Sequence, residues 1–126
     1  MARVLVVEDN DLLRKGLERA LKHAGYEVVT AEDGSAAVAL FAPAGKASPG
    51  VDLVVTDINM PGTDGIELIL SLRETRPDLP ILAISGGGLL PMEHLLEDAK
   101  ALGATEVLLK PFSMAIIVET IERLLR

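Results

Sequence analysis

Short apolar runs separated by stretches of helical period predict a doubly wound α/β domain, a five-stranded parallel sheet with helices on both faces. Two observations carry that expectation. The order of elements is five strand-then-helix units in succession, with apolar residues recurring every three or four positions between the runs. Functional side chains also fall just past the run ends. Glu8 and Asp9 follow Val4-Leu5-Val6-Val7, Asp57 follows Val51 to Thr56, Ser85 follows Ile81 to Ile84, and Lys110 follows Val107-Leu108-Leu109. In parallel strands they converge at one carboxyl edge, where open α/β sheets place their ligands.

The elements follow in order. After the first strand, Leu12, Leu13, Leu17, Ala20, Leu21 and Ala24 form an apolar stripe, closed by Gly25 as a C-terminal cap. Val28 to Ala31 is the second strand, and Asp33-Gly34-Ser35 opens a short helix through Phe41. Pro43 to Gly50, rich in Pro, Gly, Ala and Ser, reads as a surface excursion. Asp52 to Thr56 is a buried strand, and Ile66, Leu68, Ile69 and Leu72 mark a helix that ends before Pro77. Pro80 to Ile84 is strand again. Pro91 suits a first helical position, Leu95, Leu96, Ala99 and Leu102 keep helical spacing, and Gly103 stops the helix. Thr105 to Leu109 is the fifth strand, and Ser113 caps a last helix through Ile116, Ile117, Ile121, Leu124 and Leu125. The joints at Gly25 and Gly103 share cap chemistry and are not a repeat.

Composition narrows the function classes. The 126 residues make one domain, 1–126, with 49% apolar and 25% charged residues, a globular balance. Aromatics are limited to Tyr26, Phe41 and Phe112, so the core rests on Leu, Val, Ile and Ala, and no stacking platform for bases is offered. A net charge of −7 repels a phosphate backbone, which argues against direct nucleic-acid binding. Without cysteine there is neither a disulfide framework nor a thiolate metal site. Met1-Ala2-Arg3 leads into too few apolar residues for a signal peptide or a membrane span, so a cytoplasmic, membrane-free protein is expected.

The acidic pair Glu8-Asp9, with Asn10 and Asp11 next, argues against two rival uses of such a sheet. A dinucleotide site would put a glycine-rich turn there, and a flavin site phosphate-binding hydroxyls and amides. Carboxylates repel phosphate. Asp9 or Asp11 is also expected to cap the first helix. Asp57 adds a third carboxylate across the sheet. Two like charges about 5 Å apart repel by roughly 3 kcal/mol at an effective dielectric near 20, so the cluster calls for a counter-ion. Oxygen-only ligands favour Mg²⁺, with Mn²⁺ as a substitute, over zinc. His23 and His94 read as solvated surface residues.

A carboxylate fixed beside a cation can attack phosphorus, which suits Asp57 to the role of nucleophile. Ile58-Asn59-Met60-Pro61-Gly62-Thr63-Asp64-Gly65 is a tight turn able to aim backbone groups at whatever Asp57 holds. Lys110 offers a compact positive charge for phosphate oxygens and can pair with Asp57 when no phosphoryl group is present. Pro111 holds the lysine extended. Ser85 offers a hydroxyl donor, and Gly86 an uncovered N–H.

Glu8-Asp9, the stretch Asp57-Ile58-Asn59-Met60-Pro61 with Asp64-Gly65, Ser85-Gly86 and Lys110-Pro111-Phe112 together resemble the receiver domain of two-component response regulators over essentially the whole chain. The resemblance implies a flavodoxin-like fold with strand order 2-1-3-4-5. It implies that Asp57 takes a phosphoryl group from a phosphohistidine on a sensor histidine kinase or histidine phosphotransfer protein. Asp9, Asp57 and the Asn59 carbonyl would bind Mg²⁺, with Glu8 acting through water. Lys110, Ser85, Gly86 and Asn59 would surround the phosphoryl group. Such a domain catalyses its own phosphorylation and dephosphorylation, is not a turnover enzyme on an external substrate, and signals to a downstream protein target.

The family's switch couples the Ser85-type hydroxyl to an aromatic three residues before the lysine; here that position is Val107, so a rotating aromatic is missing. The glycine-rich loop 86–90 is the alternative moving part, drawing Ser85 inward and shifting the face made by the 91–102 helix, the fifth strand and the last helix. Two other readings stand beside the receiver. A haloacid-dehalogenase-type phosphohydrolase also uses a strand-end aspartate, but needs a second aspartate where this chain has Asn59. A degenerate receiver would bind partners constitutively, against which the intact acids, Ser85 and Lys110 speak. The chain is expected either to work alone or to be part of a longer regulator.

Overall fold

The computed structural model describes residues 2–41, 50–58, 65–86, 100–101 and 103–126. Five parallel strands, β1 (Arg3–Val7), β2 (Glu27–Ala31), β3 (Leu53–Asp57), β4 (Ile81–Ser85) and β5 (Glu106–Leu109), form one sheet in the order β2-β1-β3-β4-β5. Four helices are described: α1 (Asp11–His23), α2 (Gly34–Leu40), α3 (Gly65–Thr75) and α4 (Met114–Leu124). The expected excursion at 43–50, apart from Gly50, and the predicted helix over 91–102, apart from residues 100 and 101, lie outside the described residues, as do Asn59, His94 and most of the loop 86–90.

Alternation of side chains along each strand splits the core into two layers. Leu5 and Val7 of β1, Val54 of β3 and Ile81 and Ala83 of β4 pack with Ala37 of α2 and Leu68, Ile69 and Leu72 of α3. Val4 and Val6, Leu53 and Val55, and Leu82 and Ile84 pack on the other face with Leu17 and Leu21 of α1 and Ile117 and Ile121 of α4. Both faces of the central strands are covered, which is why their sequences read as unbroken apolar runs.

Several boundaries differ from the sequence expectation. β2 begins at Glu27, and Asp57 and Ser85 are the last residues of their strands rather than the first beyond them, because main-chain pairing continues to the edge. The cap of α1 is Asn10, not Asp9 or Asp11: its side chain accepts the Leu13 N–H at 2.9 Å. That frees Asp9 to face the sheet edge. Leu12 is 85% exposed, lying well around the helix from the stripe of Leu17 and Leu21, and Ile116 is also exposed. Asp33 and Ser113 cap α2 and α4. Gly25 and Gly103 both adopt positive φ, 101° and 119°, the conformation that ends a helix at little cost only for glycine. No helix among the described residues is long and apolar enough to cross a membrane.

Candidate functional site

Strand register brings the predicted residues together. Val7 pairs with Thr56, so Glu8 stands beside Asp57; Asp57 pairs with Ile84 and Ser85 with Leu109, which sets Ser85 and then Lys110 along the same edge. Glu8, Asp57 and Ser85 are buried, Asp9 is exposed, and carboxylate oxygens of Glu8, Asp9 and Asp57 lie within 4.8 Å of one another. In a strand, consecutive side chains face opposite sides. Glu8 and Asp9 both reach the cluster because β1 ends at Val7 and the chain bends at Asp9.

That bend is held at several points. The Glu8 N–H donates to the Ala31 carbonyl at 3.1 Å, and the Asn10 N–H donates to Glu8 Oε2 at 3.0 Å. Arg14, a residue that the sequence reading did not single out, donates from Nη1 to the Glu8 carbonyl at 2.9 Å and from Nη2 to Asp11 Oδ1 at 2.5 Å. The i, i+3 spacing of opposite charges at Asp11 and Arg14 was the signal available in the sequence. Thr56, equally unflagged, is fully buried, and its hydroxyl donates to the Asp57 carbonyl at 3.1 Å.

Lys110 reaches across the sheet edge to both buried acids. Its Nζ lies 2.8 Å from Asp57 Oδ2 and 3.2 Å from Glu8 Oε1, the second contact being one that the sequence did not anticipate. The Lys110 N–H donates to the Ser85 carbonyl at 2.7 Å, and the Lys110–Pro111 peptide bond is cis. Gly86 is exposed beside the lysine stem. Burial alone would lower the ammonium's pKa, but hydrogen bonds and charge from Asp57 and Glu8 outweigh it and raise it above the usual lysine value. Glu8 is pushed up to about 7, chiefly by burial; Asp9 and Asp57 push the same way, against the Asn10 amide and Lys110.

Gly65 sets the far wall. A Cβ there would lie 2.0 Å from the Asp57 carbonyl oxygen and 2.7 Å from Ile58 Cα, so α3 starts in backbone contact with the end of β3. Val107, the expected switch position, is not at the site. It is buried, pairs with Ala83 and packs in the core layer beneath α2 and α3.

The donor set fits a hard divalent cation. Three carboxylates and no sulfur or imidazole is the chemistry of Mg²⁺. Carboxylate oxygens of Glu8, Asp9 and Asp57 that lie within 4.8 Å of one another are close enough to gather around one such ion.

Comparison with known proteins agrees with this geometry. The family model for the response regulator receiver domain matches residues 4–122. Response regulator MprA of Mycolicibacterium vanbaalenii is 38% identical over 124 residues, 98% of this chain and 50% of that protein. The C4-dicarboxylate transport transcriptional regulatory protein DctD of Pseudomonas aeruginosa is 39% identical, over 25% of its length. The chain thus spans half or less of these curated relatives. Among solved structures, chemotaxis protein CheY4 of Vibrio cholerae superposes with a TM-score of 0.85 at 35% identity, over 98% of both chains. TrrA of Thermotoga maritima, solved in complex with Mg²⁺-BeF, gives 0.80 at 31% identity, over 98% of this chain and 99% of that one. Strand order, edge chemistry and sequence identity lead to one conclusion: the chain belongs to the response regulator receiver domain family of two-component systems.

Proposed function

We propose that residues 1–126 act as one phosphoacceptor unit in which Asp57 is loaded from a phosphohistidine on a sensor histidine kinase or histidine phosphotransfer protein. The observation that carries this reading is the buried Asp57 carboxylate, held 2.8 Å from the Lys110 ammonium and within 4.8 Å of two further acids. An Asp57 oxygen attacks phosphorus, the O–P bond forms as the N–P bond breaks, and the electron pair returns to the imidazole. Asp9, Asp57 and the Asn59 carbonyl, with Glu8 through water, would hold Mg²⁺, or Mn²⁺ in its place, which would supply the charge that offsets the crowded oxygens. Lys110 transfers from the carboxylate to the phosphoryl oxygens, and Ser85 and the Gly86 N–H donate to them. The Mg²⁺-BeF complex of TrrA supports this assignment by similarity.

Ser85 is the hydroxyl arm of the switch, and the loop 86–90 with the neighbouring face takes the place of a rotating aromatic. Val107 carries no ring to rotate and packs in the core layer beneath α2 and α3. The loaded domain engages a downstream protein rather than nucleic acid, and it works in the cytoplasm. It catalyses its own loading and release but turns over no external substrate. The family match gives no support to the phosphohydrolase reading.

Incubation with acetyl phosphate followed by intact-mass measurement tests the assignment. One phosphoryl adduct is expected in the presence of Mg²⁺, none after chelation and none in Asp57→Asn. An adduct that persists in Asp57→Asn, or forms equally with chelator, refutes it.

A further inference from the structure

We propose that Arg14 is a positioning residue for the cation site, acting through the Glu8 carbonyl; this rests on the Mg²⁺ reading above. Arg14 does not belong to the acidic cluster and, as a cation, repels any ion placed there. Its side chain is nonetheless only 11% exposed, while Asp11, one of its two partners, is 75% exposed. An exposed ion pair contributes little, so burial of this guanidinium is explained by the other contact, the 2.9 Å bond from Nη1 to the Glu8 carbonyl. That carbonyl lies at the end of β1, where the chain abandons strand alternation so that Glu8 and Asp9 can face one ion.

The Glu8 N–H, carbonyl and both carboxylate oxygens are each engaged, by Ala31, Arg14, Asn10 and Lys110 in turn. Arg14 is the one of these partners that fixes the peptide between the two acids. Its second nitrogen holds Asp11 Oδ1, and Asp11 is not a member of the cluster of three carboxylates. Arg14 therefore holds the peptide from which both acids of the pair project. Residues that orient metal ligands typically change affinity by about 10–100-fold when removed.

The sign of the effect separates this role from simple electrostatics. Loss of a positive charge near a cation site should by itself tighten binding, whereas loss of a positioning contact weakens it. MgCl₂ titrations followed by amide chemical shifts are expected to give roughly tenfold or greater loss of affinity in Arg14→Met. Arg14→Lys, whose ammonium can reach the Glu8 carbonyl but not both partners, recovers part of that loss. Asp11→Asn, which breaks the ion pair and keeps the carbonyl contact, stays within about threefold of the parent protein, since an exposed pair contributes little. Tighter or unchanged Mg²⁺ binding in Arg14→Met, with the parent protein binding normally, overturns the role of Arg14 alone. A parent protein indifferent to millimolar Mg²⁺ overturns the cation site and this inference together. Should Arg14→Met not fold, a large loss in Asp11→Asn, which leaves the carbonyl contact in place, decides against the proposal, and a change within about threefold there supports it.

Discussion

Glu8→Gln is expected to make the metal-free protein more stable at alkaline pH than its parent, although it removes a charge that Lys110 touches. In the folded state Glu8 titrates at about 7 against 4.5 for the ordinary side chain, because burial disfavours its charged form more than Lys110 and the Asn10 amide favour it. Between those two values the folded protein binds the proton more tightly than the unfolded chain does. The stabilisation is complete below 4.5 and is lost as pH rises through 7. A gap of about 2.5 pH units at about 1.4 kcal/mol each gives roughly 3 kcal/mol. Glutamine does not ionise, so the gain of the variant over the parent should grow by about 3 kcal/mol between pH 4.5 and pH 8. A constant offset of about 1 kcal/mol runs the other way, since an amide offers one acceptor where Asn10 and Lys110 both seek one. Urea unfolding in EDTA across that range measures the difference directly. Saturating Mg²⁺ should narrow it at pH 8 by compensating the charge in the parent protein. Stability curves for the two proteins that stay parallel from pH 4.5 to 8 would refute the reasoning.

Two further substitutions test the frame that holds the site. Gly65→Ala would press a methyl group against the Asp57 carbonyl, which has no room to yield, so α3 must retreat from β3. A loss of about 1–3 kcal/mol in urea unfolding is expected, together with weaker Mg²⁺ binding, and a neutral result would mean that the contact relaxes freely. Arg73 fans its guanidinium over the carbonyls of Gly103, Pro77 and Leu79 and the Thr105 hydroxyl, tying the end of α3 to the approaches of β4 and β5. Arg73→Met should cost about 3 kcal/mol by stranding those acceptors, and Arg73→Lys should restore only part of it because an ammonium cannot reach the whole fan. Thermal unfolding of the pair checks both the size and the order.

The succession of the five strands and the identity of the acids at the edge were legible in the sequence because both are local properties. An apolar run such as Val4 to Val7 or Ile81 to Ile84, short and bounded by charged or turn residues, reads as a buried strand, and Gly25 or Ser113 marks a helix end through its own backbone or side chain. The five residues Glu8, Asp9, Asp57, Ser85 and Lys110 could be named because each follows or closes such a run. The cap of α1 could not be assigned from sequence alone. Asp9, Asn10 and Asp11 have similar capping chemistry, and only the route from β1 into the helix selects Asn10.

What needed the tertiary structure is whatever depends on distance between segments far apart in the chain. Lys110 meets Glu8 as well as Asp57, across 102 residues, because register stacks three strand ends within reach of one flexible stem. The burial that moves Glu8 to about 7, the closeness of Gly65 to Asp57, and the hold of Arg14 on the acid turn are likewise properties of packing. Sequence by itself determined which groups stand at the carboxyl edge, since periodicity and residue type are written along the chain. Only the folded arrangement decided how they share charge and which neighbours orient them, because Coulomb energy, desolvation and hydrogen bonding depend on separations of a few ångströms that no spacing in sequence specifies.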